Sequence, residues 1–399
     1  MIRKPLLLAL TAALLVMACG GSPPSPASSS SNTNPYRVVM IVGLSGVTAT
    51  TSTATINAMK LSIAAVNKAG GIGGRTAQLE VLDDASDATK AESVLVDRLA
   101  SGPTPDLVVA GNASNETLAM LPTLTKNNIL QMGITASSAI NIPATYPYAF
   151  NTSDDLVVGV DALVAYLKSK NYKKIGRLLA NDALGQSINA QWDPAFQAAG
   201  FTSVAASFAP TALDLTPQLS QLQSQNPDVV IFNAAGAPNG IFLQNRLKLG
   251  WTVPVIMYFS STGSTDLLVA GGSADAIKGV TEETYTRNLF VAEAQRDPKI
   301  QAFITAMKAL APIQKLLTTI TWMYDILQLV KVAADQAKAT DTVHIAAALE
   351  NLKQPASPPW ISQKVLGFSK TNHFLHETVA DYSFVGAGPI VDGMIQSAS

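Results

Sequence analysis

A chain of 399 residues with 27 basic and 28 acidic side chains, dispersed without blocks, offers no electrostatic footprint for nucleic acid. Its length exceeds one core of ordinary size, so two domains are expected. The chain has one cysteine, Cys19, which excludes an internal disulfide.

Arg3 and Lys4 precede an apolar run from Leu6 to Val16 that ends at Ala18-Cys19-Gly20. The run is shorter than the roughly 20 apolar residues a spanning helix needs. It fits the h-region of a signal peptide, residues 1–18, removed on export. Val16-Met17-Ala18-Cys19 resembles the lipobox of bacterial lipoproteins, which implies lipidation of Cys19; the alternative is an ordinary signal peptide with an incidental cysteine. Residues 19–35 then read as the lipidated cysteine and a tether, because a run of Ser, Pro, Gly, Asn and Thr cannot bury enough apolar surface to offset its ordering entropy. No later stretch approaches membrane-spanning length. The body is therefore expected outside the cytoplasm, held to a membrane, periplasmic or cell-surface, by lipid alone.

From Tyr36 onward, strand and helix signals alternate. Val38–Val42 is a continuous apolar run, and Ile56, Met59, Ile63 and Val66 follow at helical spacing. Ala77, Leu79 and Val81 alternate as a strand before a helical stretch from Ser86 to Ala100. Asp106–Ala110 and Ile129–Met132 read as strands around a helix at Thr117–Thr125, and Lys174–Ala180 and Asp228–Phe232 continue the series. Such alternation predicts an α/β fold of doubly wound parallel sheets. Ligands then bind beyond the carboxyl ends of strands, which directs attention to the loops after Val42, Ala110, Met132, Ala180 and Phe232.

A family resemblance is carried by Gly43-Leu44-Ser45-Gly46, by Ala64–Asn67 running into Ala69-Gly70-Gly71-Ile72-Gly73-Gly74-Arg75, and by Asp83-Asp84. Further along it is carried by Phe150-Asn151-Thr152 with Asp154, Asn181-Asp182 with Gly185, Tyr324-Asp325, and Phe368 with His373. The chain resembles the branched-chain amino acid and amide (leucine/isoleucine/valine) binding proteins of ABC importers. The resemblance implies a periplasmic-binding-protein type I fold, two lobes joined by crossing hinge strands. Lobe 1 would comprise residues 36–151 plus 285–381, and lobe 2 residues 152–284 plus 382–399. It implies a monomer that closes on a small solute, docks on permease subunits, and uses no cofactor or metal. A ligand touching both lobes stabilises only the closed form.

In that family the first lobe grips a ligand carboxylate at a helix N-terminus, where unpaired N–H donors and a partial positive charge hold an anion. Ser114 and Asn115 stand at the matching loop, and Thr135 and Ser137 at the loop that completes it. Ser114 as a mere helix cap, and the second loop as a hydroxyl-rich turn, are the plainer alternatives. Thr51, Leu184, Gly236 and Thr262 match the remaining ligand-binding positions. Where amino-acid binders place an aromatic residue, a tyrosine and an acid, this chain has Thr50 and Thr51, Leu184, and Ser260-Ser261-Thr262-Gly263-Ser264. An ammonium buried without a counter-charge is costly, so a neutral or carboxylate-bearing solute, with room for one larger than leucine, is expected over a standard amino acid.

Catalytic arrangements find little support. Gly71-Ile72-Gly73-Gly74 follows a helix, whereas a dinucleotide fingerprint follows a strand. His373 and His376 are not spaced to share a helical face, so zinc is not expected. Asp83 and Asp84, adjacent on a strand, point to opposite faces and are expected to cap the next helix. The chain is therefore read as a binding protein and not an enzyme. The alternative output is a ligand-binding sensory module for a chemoreceptor or two-component kinase.

Overall fold

The structure, a computed structural model, describes residues 34–110, 112–154, 157–262, 274–362 and 368–397. The signal peptide, Cys19 and nearly all of the tether lie outside the described residues, as do Gly263 and Ser264.

The chain opens with β1 (Tyr36–Val42), α1 (Ala49–Lys68), β2 (Ala77–Asp83), α2 (Ala88–Ser101), β3 (Leu107–Ala110), α3 (Ser114–Lys126), β4 (Leu130–Gly133) and β5 (Ala149–Asp154). A second series follows: α4 (Val157–Ser169), β6 (Lys174–Ala180), α5 (Ala183–Ala199), β7 (Thr202–Phe208), α6 (Thr216–Ser224), β8 (Val229–Asn233), α7 (Pro238–Lys248), β9 (Val255–Met257) and β10 (Val280–Tyr285). The chain then returns through α8 (Pro298–Leu310), α9 (Leu317–Ala337) and α10 (Thr342–Glu350) to β11 (Phe374–Leu375). It ends with β12 (Tyr382–Gly386) and a ribbon of β13 (Ile390–Val391) and β14 (Met394–Ile395).

Two six-stranded sheets result, ordered β11-β5-β4-β3-β1-β2 and β12-β10-β9-β8-β6-β7. All pairings are parallel except β10 with β12. Helices cover both faces of each sheet, which is why the central strands β3, β8 and β9 are buried at every residue, whereas the edge strands β2 and β7 are partly exposed. On the first sheet, Met40 packs with Met59, Ile326 and Val330 on one face. Ile41 packs with Leu95 and Met120 on the other. On the second, Phe232 and Phe242 stack at 4.1 Å between ring centres, while Trp192 and Phe196 fill the opposite face.

The chain crosses between the sheets three times, after β5, after β10, and between β11 and β12. At the crossings, the Asp154 carboxylate of β5 accepts hydrogen bonds from the hydroxyls of Tyr285 (2.8 Å) and Tyr382 on the second sheet. One buried side chain thus ties the hinge strands together.

Local chemistry explains the connections. Gly71, with φ +78°, ends α1 and turns toward β2, and any Cβ there would lie 2.1 Å from the Arg75 carbonyl oxygen. Arg75 itself forms a two-pronged pair with Asp106 at 2.7 and 2.8 Å. His373, stacked on Phe150 at 3.8 Å, hydrogen-bonds through Nδ1 to the Ala149 carbonyl oxygen, so it secures β11 to β5. The aspartate pair departs from expectation. Asp87 caps α2, whereas Asp83 accepts from the Leu44 N–H at 2.8 Å and the Ser45 hydroxyl at 3.0 Å, holding the loop after β1. Asp83 reaches that loop because β2 pairs with β1 in register to its last residue.

Candidate functional site

The carboxyl ends of the two sheets face each other across a cavity of about 130 Å³. An engineered protein cavity of about 150 Å³ holds benzene, so this one has room for a solute of similar bulk. One wall is formed by Thr48 and Thr51 at the start of α1, Asn112–Ser114 at the start of α3, and Ile134–Ala136 after β4. The opposite wall presents Asp182 and Leu184 at α5, Ala235, Gly236 and Asn239 at α7, and Ser260 and Thr262 after β9. Hinge-side residues close the end: Tyr258, Glu283–Tyr285, Trp322 of α9 and Tyr382. Five helices, α1, α3, α5, α7 and α9, begin at this cavity and turn the positive ends of their dipoles toward it; in α5 and α9 first-turn N–H groups are already paired, Ala183 with Asn115, Gly185 with Asp182 and Thr318 with Asn288.

Six of the eight residues singled out from sequence line the cavity: Thr51, Ser114, Thr135, Leu184, Gly236 and Thr262. Ser114 does not cap α3. The N-cap position belongs to Ala113, and the Ser114 hydroxyl is buried without a hydrogen-bond partner among the described residues. Asn115 and Ser137 do not line the cavity. The Asn115 side-chain oxygen accepts from the Ala183 N–H at 2.9 Å, and the Ser137 hydroxyl meets that of Ser187 at 2.7 Å. Both bonds join the first wall to α5 of the second. One step along a helix rotates a side chain by about 100°, enough to carry Asn115 from the cavity to the opposing wall. Between Val47 and Gly236 the walls meet directly: a Cβ added to Gly236 would lie 1.9 Å from the Val47 carbonyl oxygen.

The hinge supplies an acid that the Ser260–Ser264 stretch lacks. Glu283 lines the cavity and is 3% exposed, and neither of its carboxylate oxygens has a partner among the described residues. Burial, reinforced by the charge of Asp154, pushes its carboxyl well above the usual range. The Asn239 side-chain oxygen and the Trp322 indole N–H are likewise buried without partners among the described residues. The acid was hidden in the sequence because it arrives on a strand far from the expected loop. Its signal was the pair Glu282-Glu283 inside a strand that is otherwise buried.

A second acidic group lies beside the cleft. Burial pushes the Glu116 carboxyl up to about 7 and that of Asp84 up to about 6, with Asp182 also raised. Asp325, whose carboxylate accepts the Ile361 and Ser362 N–H groups at 2.7 and 2.8 Å, is raised by burial to about 6. An acid raised in the folded state holds a proton that the unfolded chain has lost. Its destabilising effect is absent below the ordinary pKa near 4 and grows as pH rises through the folded value. His373, whose pKa is lowered by burial, acts oppositely over part of this window, one group against several. The unfolding temperature is therefore expected to rise as pH falls from 8 to 5, measured calorimetrically, and Glu116→Gln should flatten the upper part of that rise. A curve that falls over this interval would contradict the assignment.

Among the described residues no helix is long and apolar enough to cross a membrane, and no group of three or more potential ligands could hold a metal ion.

Residues 35–381 match the sequence family described as periplasmic binding protein. No curated protein sequence matches the chain. Among solved structures, a type 1 periplasmic binding protein from Bordetella pertussis Tohama I is similar, with TM-score 0.77 and 17% identity over 92% of this chain and 100% of that one. An ABC transporter solute-binding protein from R. palustris, solved with 4-hydroxybenzoate, gives TM-score 0.75 and 17% identity over 92% of this chain and 96% of that one. A leucine-binding protein from Thermotoga maritima gives 0.72 and 15% over 87% and 92%. At these identities the likeness is one of fold.

Proposed function

We propose that this chain, which belongs to the periplasmic binding protein family, is the extracytoplasmic solute-binding component of an ABC importer and captures a small amino acid-, amide- or carboxylate-like solute by closing two lobes on it. The observation that carries the reading is a set of polar groups of cavity-lining residues that have no partner among the described residues: Ser114 Oγ, Asn239 Oδ1, Trp322 Nε1 and both oxygens of Glu283. A buried polar group left unpaired costs about 1–3 kcal/mol. A polar solute that pairs with several at once is therefore held by the closed walls.

On this reading the lobes divide by sheet; the packing of Met394 in the core of the first sheet supports grouping the β13–β14 ribbon with lobe 1, whereas the family resemblance places residues 382–399 with lobe 2. Leucine and 4-hydroxybenzoate, the solutes named for two similar structures, both carry a carboxylate. Here the start of α3, with the Ser114 hydroxyl, offers donors to such a group, and Lys315 lines the same cavity. After export, Cys19 would carry the lipid anchor, residues 20–35 would serve as tether, and the monomeric body would deliver its solute to permease subunits.

A thermal-shift screen of the purified protein against amino acids, amides, aliphatic acids and aromatic acids tests the reading. A solute at about 100 times its dissociation constant adds roughly 2.7 kcal/mol and raises the unfolding temperature. A protein that no solute in these classes stabilises would refute capture of this kind.

A further inference from the structure

We infer that the seam between α3 and α5, beside the solute cavity, is a proton-sensitive latch: acid favours the form in which the two walls meet there, whatever solute lies between them. The inference rests on the walls parting and closing, and it adds a control that works beside the cavity.

Bonds outside the cavity hold the seam. The Asn115 side-chain oxygen of α3 accepts the Ala183 N–H at the start of α5 at 2.9 Å, and the Ser137 and Ser187 hydroxyls meet at 2.7 Å. Acids gather where these helix starts face each other. Glu116, next to Asn115, is 5% exposed, and Asp84, just after β2, is 1% exposed. One carboxylate oxygen of each is buried without a partner among the described residues, while the other oxygen of Asp84 accepts the Ser86 N–H at 2.8 Å. Asp182 comes from the opposite wall, where its side chain accepts the Gly185 N–H at 2.7 Å and caps α5. The charges that act most on Glu116 are all acids: Asp84, Asp182 and Asp87. The elements packed on α3 are α2, α5, β3 and β4, and the two strands carry no ionisable side chain. Arg98 of α2 pairs with Glu80, Glu92 of α2 accepts from the Thr123 hydroxyl, and Asp193 of α5 pairs with Arg177. Lys90 and Asp97 of α2 are exposed. Lys315 lines the cavity ahead of α9 and is not among the principal charges on Glu116, Asp84 or Asp182.

An acid buried without a donor or a cation keeps its proton. Burial, with the charges of Asp84 and Asp182, holds the Glu116 carboxyl up at about 7, and burial holds that of Asp84 at about 6, against the pull of the helix starts. When the walls part, Asp182 withdraws with α5 and water reaches the first turn of α3, so both acids return toward ordinary values. The closed form therefore binds protons that the open form releases. Its advantage is complete below the open-form values and is lost as pH climbs past the closed-form value of about 7. Asp182, also raised by burial, acts in the same direction. Each pKa unit that separates the two forms shifts their ratio by about tenfold.

Spin labels at Val96→Cys and Leu213→Cys, in the chain with Cys19→Ser, test this by pulsed electron resonance. Both positions are exposed, Val96 in α2 after β2 and Leu213 after β7, and these strands are the sheet edges farthest from the hinge strands, so the label distance shortens on closure. Two distance populations are expected without solute, their short-to-long ratio rising about tenfold from pH 8 to pH 5. Glu116→Gln, neutral at every pH, should show at pH 8 the ratio that the labelled parent reaches at pH 5, with most of the pH dependence gone. Asp182→Asn, which can still cap α5, should do the same from the other wall. Asn115→Ala should lower the short-distance fraction at both pH values and leave the pH dependence in place. A ratio that ignores pH, a pH dependence unchanged in both Glu116→Gln and Asp182→Asn, or a short-distance fraction unchanged in Asn115→Ala would overturn the inference. If the ratio ignores pH yet leucine or 4-hydroxybenzoate shortens the distance, capture by closure stands and only the proton-sensitive latch falls.

Discussion

Gly236→Val is expected to weaken solute binding about 100-fold while leaving the empty protein folded. Gly236 follows β8 on the second sheet, and Val47 precedes α1 on the first. Their contact is backbone against backbone across the cleft, so it exists only when the walls are together. Any side chain at 236 would place its Cβ 1.9 Å from the Val47 carbonyl oxygen, which no rotamer change relieves. Overpacking of this kind costs up to about 3 kcal/mol, or about two powers of ten in affinity. The φ of +69° adds strain at any residue other than glycine, but that strain is present with the lobes open or closed. It therefore lowers stability and cancels from affinity. Titration calorimetry with a solute found by screening would read the affinity, and scanning calorimetry the stability. Unchanged affinity would mean that closure does not bring these loops together.

Ser114→Ala is expected to cost about 100-fold in affinity for carboxylate solutes and far less for neutral amides. A hydrogen bond to a charged group contributes about 1.5–3 kcal/mol, and the Ser114 hydroxyl is buried at a helix start with no partner to lose among the described residues. The absence of a partner sets the second sign. Because the hydroxyl is unpaired in the empty protein, its removal should leave the unfolding temperature unchanged or slightly raised. A loss of stability without a loss of affinity would return Ser114 to a structural role.

The sequence was most informative where chemistry and chain order coincide. A loop that follows a parallel strand must emerge at the carboxyl edge, so Thr51, Ser114, Thr135, Leu184 and Gly236 reach the cavity by topology alone. Asn115 and Ser137 lie a step or two from cavity residues, yet turn to bridge the walls, because side-chain direction changes with every residue. The hinge end was not legible. Glu283 sits within a strand, Trp322 within a long helix and Tyr382 at a strand start, and each reads locally as core. Only the crossings of the chain, which join residues more than 130 positions apart at Asp154, gather them beside one cavity. Asp83 illustrates the same limit, since its partners are fixed by the register of β1 with β2 and not by its own helix.

Small-angle scattering of the purified protein, with and without a solute identified by thermal shift, tests lobe closure most directly. The account predicts that the radius of gyration falls when the solute is added and that Gly236→Val abolishes the fall. An identical scattering curve in both conditions, from a protein that demonstrably binds the solute, would contradict it.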